Sequence, residues 1–170
     1  KLETIGFDNQ VSFAYYQGLQ AIFEGFTLSP QSNFMEELRM IKDEKELATI
    51  RKACSISDRA FTDVLDFIKP GQTTELQVAN FLDLRMREYG ASGVSFESII
   101  ASGYRSAMPH GVASEKVIQS GETLTMDFGC YYNHYVSDMT RTIHIGDTTD
   151  EEREIYDIVL RSNQALIDAA

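Results

Sequence analysis

A stretch rich in β-favouring residues, TMDFGCYYNHYVSDMTRT at positions 125–142, constrains the fold more than any other feature. Its apolar and aromatic residues surround the turn-prone pair Asn133-His134, which predicts two short antiparallel strands joined by a tight turn. Each strand carries one acidic residue where a buried strand normally has an apolar one, Asp127 and Asp138. If Tyr132 and Asn133 are the central turn residues, Asp127 pairs directly with Asp138 and both carboxylates lie on one face.

Directly paired carboxylates repel one another, because the Cβ atoms at such positions are about 4.5–5.5 Å apart. A hard divalent cation between them would replace this repulsion by a bridge, since carboxylate oxygens suit magnesium, manganese and similar ions. The same residues also fit two unrelated aspartates on a solvent-exposed hairpin, because a shift of one residue sends one side chain to the other face. Spacing alone leaves both interpretations of Asp127 and Asp138 open.

Composition excludes several classes of function. The 170 residues are 43 % hydrophobic and 24 % charged, which is ordinary for a soluble globular protein. A net charge of −11 without a basic stripe predicts no nucleic-acid partner. No membrane span or secretory signal is recognisable, so no membrane partner is expected. Cys54 and Cys130 fit no zinc or disulfide spacing, and the absence of a glycosylation sequon favours a cytoplasmic location.

Residues 1–35 are interpreted as the C-terminal end of a smaller N-terminal domain. We expect a strand over 2–7, then a helix carrying Phe13, Tyr16, Leu19 and Phe23. The polar segment 29–33 contains Pro30 and is predicted to be a linker, with a domain boundary at 30–36.

The remainder, 36–170, alternates helix and strand signals. One helix is predicted from the capping pair Asp43 and Glu46 up to Pro70-Gly71, with Cys54 and Leu65 on its apolar face. A second runs from Thr74, with Gln77 as capping partner, to Gly90. A strand over 96–101, a loop over 102–114, the hairpin up to 145 and a last helix from 149 complete an α+β domain with a mostly antiparallel sheet.

Several short motifs occur in this order along 36–170 and together resemble the Xaa-Pro dipeptidase and aminopeptidase P family. They are Glu37-Leu38-Arg39 with Ile41-Lys42, Lys69-Pro70-Gly71, Ser95-Phe96, Ala101-Ser102-Gly103, Pro109-His110-Gly111, Asp127-Phe128-Gly129, and Ser137-Asp138 with Thr140-Arg141-Thr142. The resemblance implies the pita-bread (creatinase/aminopeptidase-like) fold, of which 36–170 would be the N-terminal half of the catalytic domain.

The resemblance also implies a site with two divalent metal ions, most often manganese, with cobalt or zinc as alternatives. Asp127 would bind one ion, Asp138 would bridge both, and the ions would lower the pKa of a shared water. His110 would act catalytically by hydrogen-bonding the substrate or its tetrahedral intermediate rather than a metal. Arg141 would orient the carboxylates.

The chain departs from the family pattern because one histidine and two glutamates, the remaining family ligands, would follow the region covered. These 170 residues are therefore expected to be inactive alone, whereas the parent protein would cleave a proline-containing dipeptide or peptide, as a homodimer. The alternative is a non-catalytic pita-bread domain that binds proteins or peptides. Retention of Asp127 and Asp138 favours the enzyme.

Some questions remain open from sequence. Dipeptidase and longer-peptide aminopeptidase activity are not distinguished, nor are the physiological metal and the oligomeric state. Tyr131 and Tyr132 fit either a substrate pocket or a cover for the sheet. His134 is expected to be an exposed turn residue, and His144 is expected to face the outer side of its strand, away from the metals.

Overall fold

The computed structural model describes residues 2–169. It separates into two compact units, Lys1–Lys45 and Glu46–Ala170. The division therefore falls at 45/46, after the predicted boundary at 30–36. The expected continuation of the last helix to Ala170 lies outside the described residues.

The first unit contains β1 (Thr4–Asp8), α1 (Phe13–Ile22), β2 (Thr27–Gln31) and α2 (Phe34–Met40). The predicted first strand and helix are confirmed, and Ser12 caps α1 by accepting a hydrogen bond from the Tyr15 N–H. The predicted linker at 29–33 is wrong, because most of it belongs to β2, which pairs in parallel with β1 and places Pro30 opposite Phe7. A two-stranded sheet has only edge strands, where a proline without an N–H is tolerated.

The second unit contains three long helices, α3 (Glu44–Phe67), α4 (Glu75–Glu88) and α5 (Asp150–Ala169). The predicted capping pair of α4 is confirmed, since Thr74 and Gln77 exchange both hydrogen bonds of a capping box. Thr149 and Glu152 make the same exchange before α5. Among the described residues, no helix is both long enough and apolar enough to cross a membrane.

The strands of this unit form two antiparallel sheets, with strand orders β3-β6-β7 and β4-β5-β8. The strands are β3 (Gly93–Val94), β4 (Ile99–Ser102), β5 (Glu122–Phe128), β6 (Cys130–Tyr132), β7 (Tyr135–Val136) and β8 (Met139–Ile145). A 3-10 helix, Gly103–Ala107, follows β4 directly. The antiparallel α+β prediction is therefore confirmed, although the strand predicted over 96–101 begins only at Ile99.

The hairpin turn is displaced by one residue from its predicted position. Asn133 and His134 have φ of 45° and 70°, as both central residues of a type I′ turn require. His134 is exposed there, as expected. The displaced turn moves every pairing by two residues, so Asp127 pairs with Thr140 and the predicted direct pair with Asp138 is wrong. A shift of two residues preserves the face on which each side chain lies.

One face of the β4-β5-β8 sheet forms the core with the helices. Leu124, Met126 and Phe128 of β5 have no exposed surface and belong to one apolar cluster with residues of α3 and α4. The buried residues of α3 are Ala53, Ile56, Ser57, Ala60 and Val64. The predicted apolar positions Cys54 and Leu65 are exposed, because the buried stripe runs beside them rather than through them.

Candidate metal centre

The second face of the β4-β5-β8 sheet, here called the open face, carries polar side chains and includes Asp127. On β5 the residues alternate strictly, so Thr123, Thr125 and Asp127 lie opposite the buried set and are partly exposed. The Thr140 hydroxyl, on the paired position of β8, donates a hydrogen bond of 3.0 Å to Asp127 Oδ1. Asp138 lies two residues before Thr140, and it is therefore a diagonal neighbour of Asp127 on the same face.

The charge of Asp127 reflects these neighbours. Burial raises the pKa of its carboxyl group above the ordinary value, the hydrogen bond from Thr140 lowers it, and the charge and hydrogen bonding of Asp138 raise it again. His110 contributes a smaller lowering of the same pKa. The register thus places Asp127 and Asp138 as diagonal neighbours on one face and not as a direct pair, and His110 is near enough to act on the charge of Asp127.

The backbone around Asp138 is held by its buried neighbour Ser137. The Ser137 N–H donates to the Cys130 carbonyl at 2.9 Å, and the Cys130 N–H donates to Ser137 Oγ at 3.0 Å. Ser57 of α3 lies 2.7 Å from Ser137, hydroxyl to hydroxyl. Both serines are buried, so these bonds fix the start of β8 relative to the core.

Gly129 permits this close approach of the strands. A Cβ atom at position 129 would lie 2.0 Å from the Ser137 carbonyl oxygen and 2.5 Å from Ser95 Oγ. The Ser95 hydroxyl also donates to that carbonyl oxygen, at 2.9 Å. The glycine that follows Asp127-Phe128 is thus a steric requirement of the segment that presents Asp138. The hydrogen bond between Ser57 and Ser137 was not predicted, because a serine at a helical or strand position carries no signal of its buried partner.

His110 reaches the open face on the loop that follows β4. The loop runs beside β4, where Val112 makes a β-bridge to Ile99, and Ile99 pairs with Asp127 on the next strand. Gly111 is buried against β4, and a Cβ there would lie 2.9 Å from Ala101 Cβ. His110 itself is exposed, so its imidazole is accessible beside the carboxylates.

Arg141 is not brought to this group. It pairs with Met126, so it lies on the opposite face from Asp127. Its guanidinium donates to the Thr140 carbonyl at 2.9 Å and lies 4.0 Å from Asp58 of α3. Within residues 2–169, Arg141 forms no hydrogen bond or ion pair with Asp127 or Asp138, so no direct contact supports its expected role of orienting these carboxylates.

His144 shares the face of Asp127 and not the opposite one. It pairs with Thr123, and its Nε2 lies 2.9 Å from the Asp147 carbonyl oxygen. The prediction that His144 faces away from the core is correct. The prediction that this face is not the one that carries the carboxylates is wrong. Four residues along β8 separate it from Thr140, about 13 Å at the usual rise of a strand.

Asp127 and Asp138 supply some of the ligands that a hard divalent cation needs. Two adjacent carboxylates supply the oxygen ligands that such ions prefer, and an ion between them would compensate both the burial of Asp127 and its repulsion from Asp138, which raise the pKa of Asp127. Cys130 is buried and Cys54 lies on α3, so neither adds a thiolate. Over the part of the chain that the structure describes, no three His, Cys, Asp or Glu side chains are grouped to hold a metal.

Comparison with known proteins identifies the family. Residues 48–170 match metallopeptidase family M24. The uncharacterised peptidase YqhT of Bacillus subtilis is 43 % identical over 93 % of this chain and 45 % of its own length. An Xaa-Pro dipeptidase of Pyrococcus furiosus is 38 % identical, over 99 % of this chain and 48 % of the relative.

Solved structures agree with this assignment. The X-Pro aminopeptidase of Thermotoga maritima superposes with a TM-score of 0.90 at 38 % identity, over 95 % of this chain and 46 % of that protein. The fold is accordingly the pita-bread fold, present in part, as predicted. The chain spans about half the length of the curated relatives it matches. The match over most of its residues establishes that this chain belongs to metallopeptidase family M24.

Proposed function

We propose that the protein containing this chain is a metal-dependent peptidase that cleaves the bond between an N-terminal residue and proline. The observation that carries the proposal is that Asp127 and Asp138 are diagonal neighbours on the open face, with the loop of His110 running beside the strand that pairs with Asp127. The names of similar proteins, Xaa-Pro dipeptidase and X-Pro aminopeptidase, agree with it. The proposal covers both dipeptide and longer peptide substrates.

Asp127 and Asp138 are assigned to hold two divalent ions, manganese in preference to cobalt or zinc. Bound ions of this kind supply an activated water and stabilise negative charge on the carbonyl oxygen. Thr140 assists by fixing the rotamer of Asp127 through its hydrogen bond to Oδ1. One histidine and two glutamates outside these 170 residues would complete the ligand set, so these 170 residues alone are expected to lack activity.

His110 is assigned to the substrate. It is exposed, and its loop runs beside β4, the strand that pairs with Asp127, so it can donate a hydrogen bond to a bound peptide without serving as a ligand. A proline after the scissile bond gives an amide without an N–H, so recognition of this substrate has to use the ring and the free N-terminus. The proposal further includes a homodimer, as the family resemblance implies, and a cytoplasmic location.

The test uses the full-length protein loaded with manganese. We expect faster cleavage of Xaa-Pro peptides than of Met-Ala peptides. Asp138→Asn should lose both bound manganese and turnover. His110→Ala should keep its manganese and lose about 10²–10³-fold in turnover, the effect of removing one donor that stabilises an oxyanion.

Three results would contradict parts of this assignment. Preference for Met-Ala peptides would refute the substrate class, and loss of metal from His110→Ala would refute the role of that histidine. If the full-length protein binds peptides but hydrolyses none, with or without manganese, the peptidase function is refuted and the non-catalytic binding domain is favoured.

A further inference from the structure

Glu75 is the only charged residue among positions 2–169 that is buried, and it has no exposed surface. It is the first residue of α4, where the positive end of the helix dipole favours a carboxylate. Burial of a charge is costly unless hydrogen bonds and an opposite charge compensate it. The partners of Glu75 therefore indicate what this carboxylate is held for.

Five hydrogen bonds converge on the two oxygens of Glu75. Oε1 accepts from the N–H and the hydroxyl of Ser102, at 2.8 and 2.9 Å. Oε2 accepts from the N–H and the hydroxyl of Ser114, at 3.2 and 2.6 Å, and from Arg105 Nε at 3.0 Å. Burial raises the pKa of Glu75, but the hydrogen bonds from Ser114, Ser102 and Arg105 outweigh it and hold the pKa below its ordinary value.

These partners bracket the segment 102–114, here called the His110 loop. Ser102 is the last residue of β4, and Ser114 lies where the segment meets the start of α4, whose Leu76 N–H donates to the Ser114 carbonyl at 2.9 Å. One carboxylate thus joins both ends of the loop. No hydrogen bond between the two serines is needed, because each has its own oxygen of Glu75.

Arg105 extends this connection into the loop. Its Nη2 donates to the Val112 carbonyl at 2.6 Å, while its Nε remains on Glu75. Val112 is two residues from His110 and makes the β-bridge to Ile99. A continuous path of hydrogen bonds therefore runs from Glu75 through Arg105 to the residues that set the position of the imidazole.

A second ion pair supports the base of the loop. Lys116 Nζ donates to Ser102 Oγ at 2.8 Å and forms an ion pair with Glu122 at 2.6 Å. The Ser102 hydroxyl thus accepts from a lysine while it donates to Glu75. The charges that face Glu75 are therefore Arg105 directly and Lys116 through Ser102.

We propose that Glu75 is a positioning residue that holds His110 beside Asp127 and Asp138 by binding both ends of the His110 loop and, through Arg105, its middle. The proposal rests on the proposed function of His110. A purely structural Glu75 would stabilise the whole domain without setting the place of this loop, and the two roles differ in measurable ways.

The experiment compares Glu75→Gln with Asp63→Asn in the full-length, manganese-loaded protein. Gln keeps the size of Glu, but its NH₂ group cannot accept the hydrogen bonds that the Glu75 oxygens accept from Ser102, Ser114 and Arg105. Asp63 is a control for the loss of a carboxylate elsewhere in the fold, because within residues 2–169 its hydrogen bonds come from Arg85, at 2.7 Å, and Tyr89 and not from the loop. Hydrogen exchange of the 103–113 amides is measured first, with β5 amides as the internal reference.

We expect Glu75→Gln to speed exchange in the loop about tenfold or more while β5 is unchanged, and Asp63→Asn to leave the loop as in the wild type. With Xaa-Pro substrates, Glu75→Gln should lower kcat by about 10–100-fold at unchanged manganese content, since small misplacements of catalytic groups have effects of this size. In a His110→Ala background the same substitution should change kcat by no more than about twofold, because residues that act through one another are not additive.

Equal loop exchange in Glu75→Gln and Asp63→Asn would overturn the proposal, and so would a full kcat effect of Glu75→Gln that persists without His110. If Glu75→Gln does not fold, Arg105→Lys is measured instead, and the same results support or overturn the proposal. A lysine keeps the charge but lacks the planar guanidinium that binds Glu75 and the Val112 carbonyl together. A wild-type protein inactive on Xaa-Pro peptides would refute the proposed function, and the exchange result would still decide whether Glu75 positions the loop.

Discussion

The two faces of the β4-β5-β8 sheet differ in burial and chemistry although the same strands build them. On β5, Leu124, Met126 and Phe128 are completely buried, whereas Thr125 and Asp127 between them are partly exposed. One face consists of apolar side chains packed on helices, and the open face carries hydroxyls and the carboxylate. The buried apolar side chains fix the strands. The alternate positions can therefore carry polar groups, including the carboxylates of Asp127 and Asp138, which repel one another.

The largest expected difference between the faces is in stability. Phe128→Ala should lower the free energy of unfolding by about 3–5 kcal/mol, because it removes a fully buried ring. Thr125→Val, three residues earlier on the open face, loses only a 3.3 Å contact with the Thr142 hydroxyl and should change it by about 1 kcal/mol or less. Denaturant unfolding of both variants measures this, and similar losses would contradict the division between the faces.

The next effect concerns metal affinity. Thr140→Val removes the hydrogen bond to Asp127 and should weaken manganese binding by about 10–100-fold, as losses of groups that orient metal ligands do. Thr142→Val is the matched control on the same strand and face, because Thr142 contacts Thr125 and not a carboxylate. Calorimetric titration with manganese distinguishes them, and equal affinities would show that Thr140 does not orient Asp127.

A smaller effect is expected where the core meets the start of β8. Ser57→Ala should destabilise the protein by about 1 kcal/mol, since Ser137 loses one buried hydroxyl partner but keeps the Cys130 N–H. Cys54→Ala on the exposed side of α3 serves as the control. Thermal unfolding should separate the two variants, and indistinguishable midpoints would mean that the Ser57 hydroxyl adds nothing.

The smallest expected effect is a pH dependence of the metal-free protein. The pKa of Asp127 is raised in the folded state, so the folded protein binds this proton more tightly than the unfolded chain, whose aspartates titrate near a pKa of about 3.9. Stability should therefore fall as the pH rises from the unfolded pKa to the folded one. Asp127→Asn should remove this fall, which unfolding curves at a series of pH values would detect; a profile identical to that of the wild type would contradict the raised pKa.

Local signals predicted α1, α3, α4 and α5 well but missed the short α2. The capping boxes of α4 and α5 involve residues three apart in sequence, so Thr74 with Gln77 and Thr149 with Glu152 were recognisable without knowledge of the fold. The strand β2 was missed, because Pro30 and its polar neighbours are typical of a linker, and only the pairing with β1 makes them a strand.

The site was predicted in part because side-chain alternation tolerates some errors. Placing the turn at Tyr132-Asn133 and not at Asn133-His134 changed the partner of Asp127 but not its face. The same alternation could have placed His144 on the face of Asp138, since the two are an even number of residues apart, and Arg141 on the other. Ser57, Ser137 and Glu75 were not predictable, because their partners lie far away in sequence.

The metal-binding role of Asp127 and Asp138 is tested most directly by anomalous scattering from crystals of the full-length protein grown with manganese. We expect manganese peaks at coordination distance from carboxylate oxygens of both Asp127 and Asp138, with the His110 imidazole not coordinated to either ion. Manganese bound elsewhere, or ligated by His110 in place of either aspartate, would contradict it.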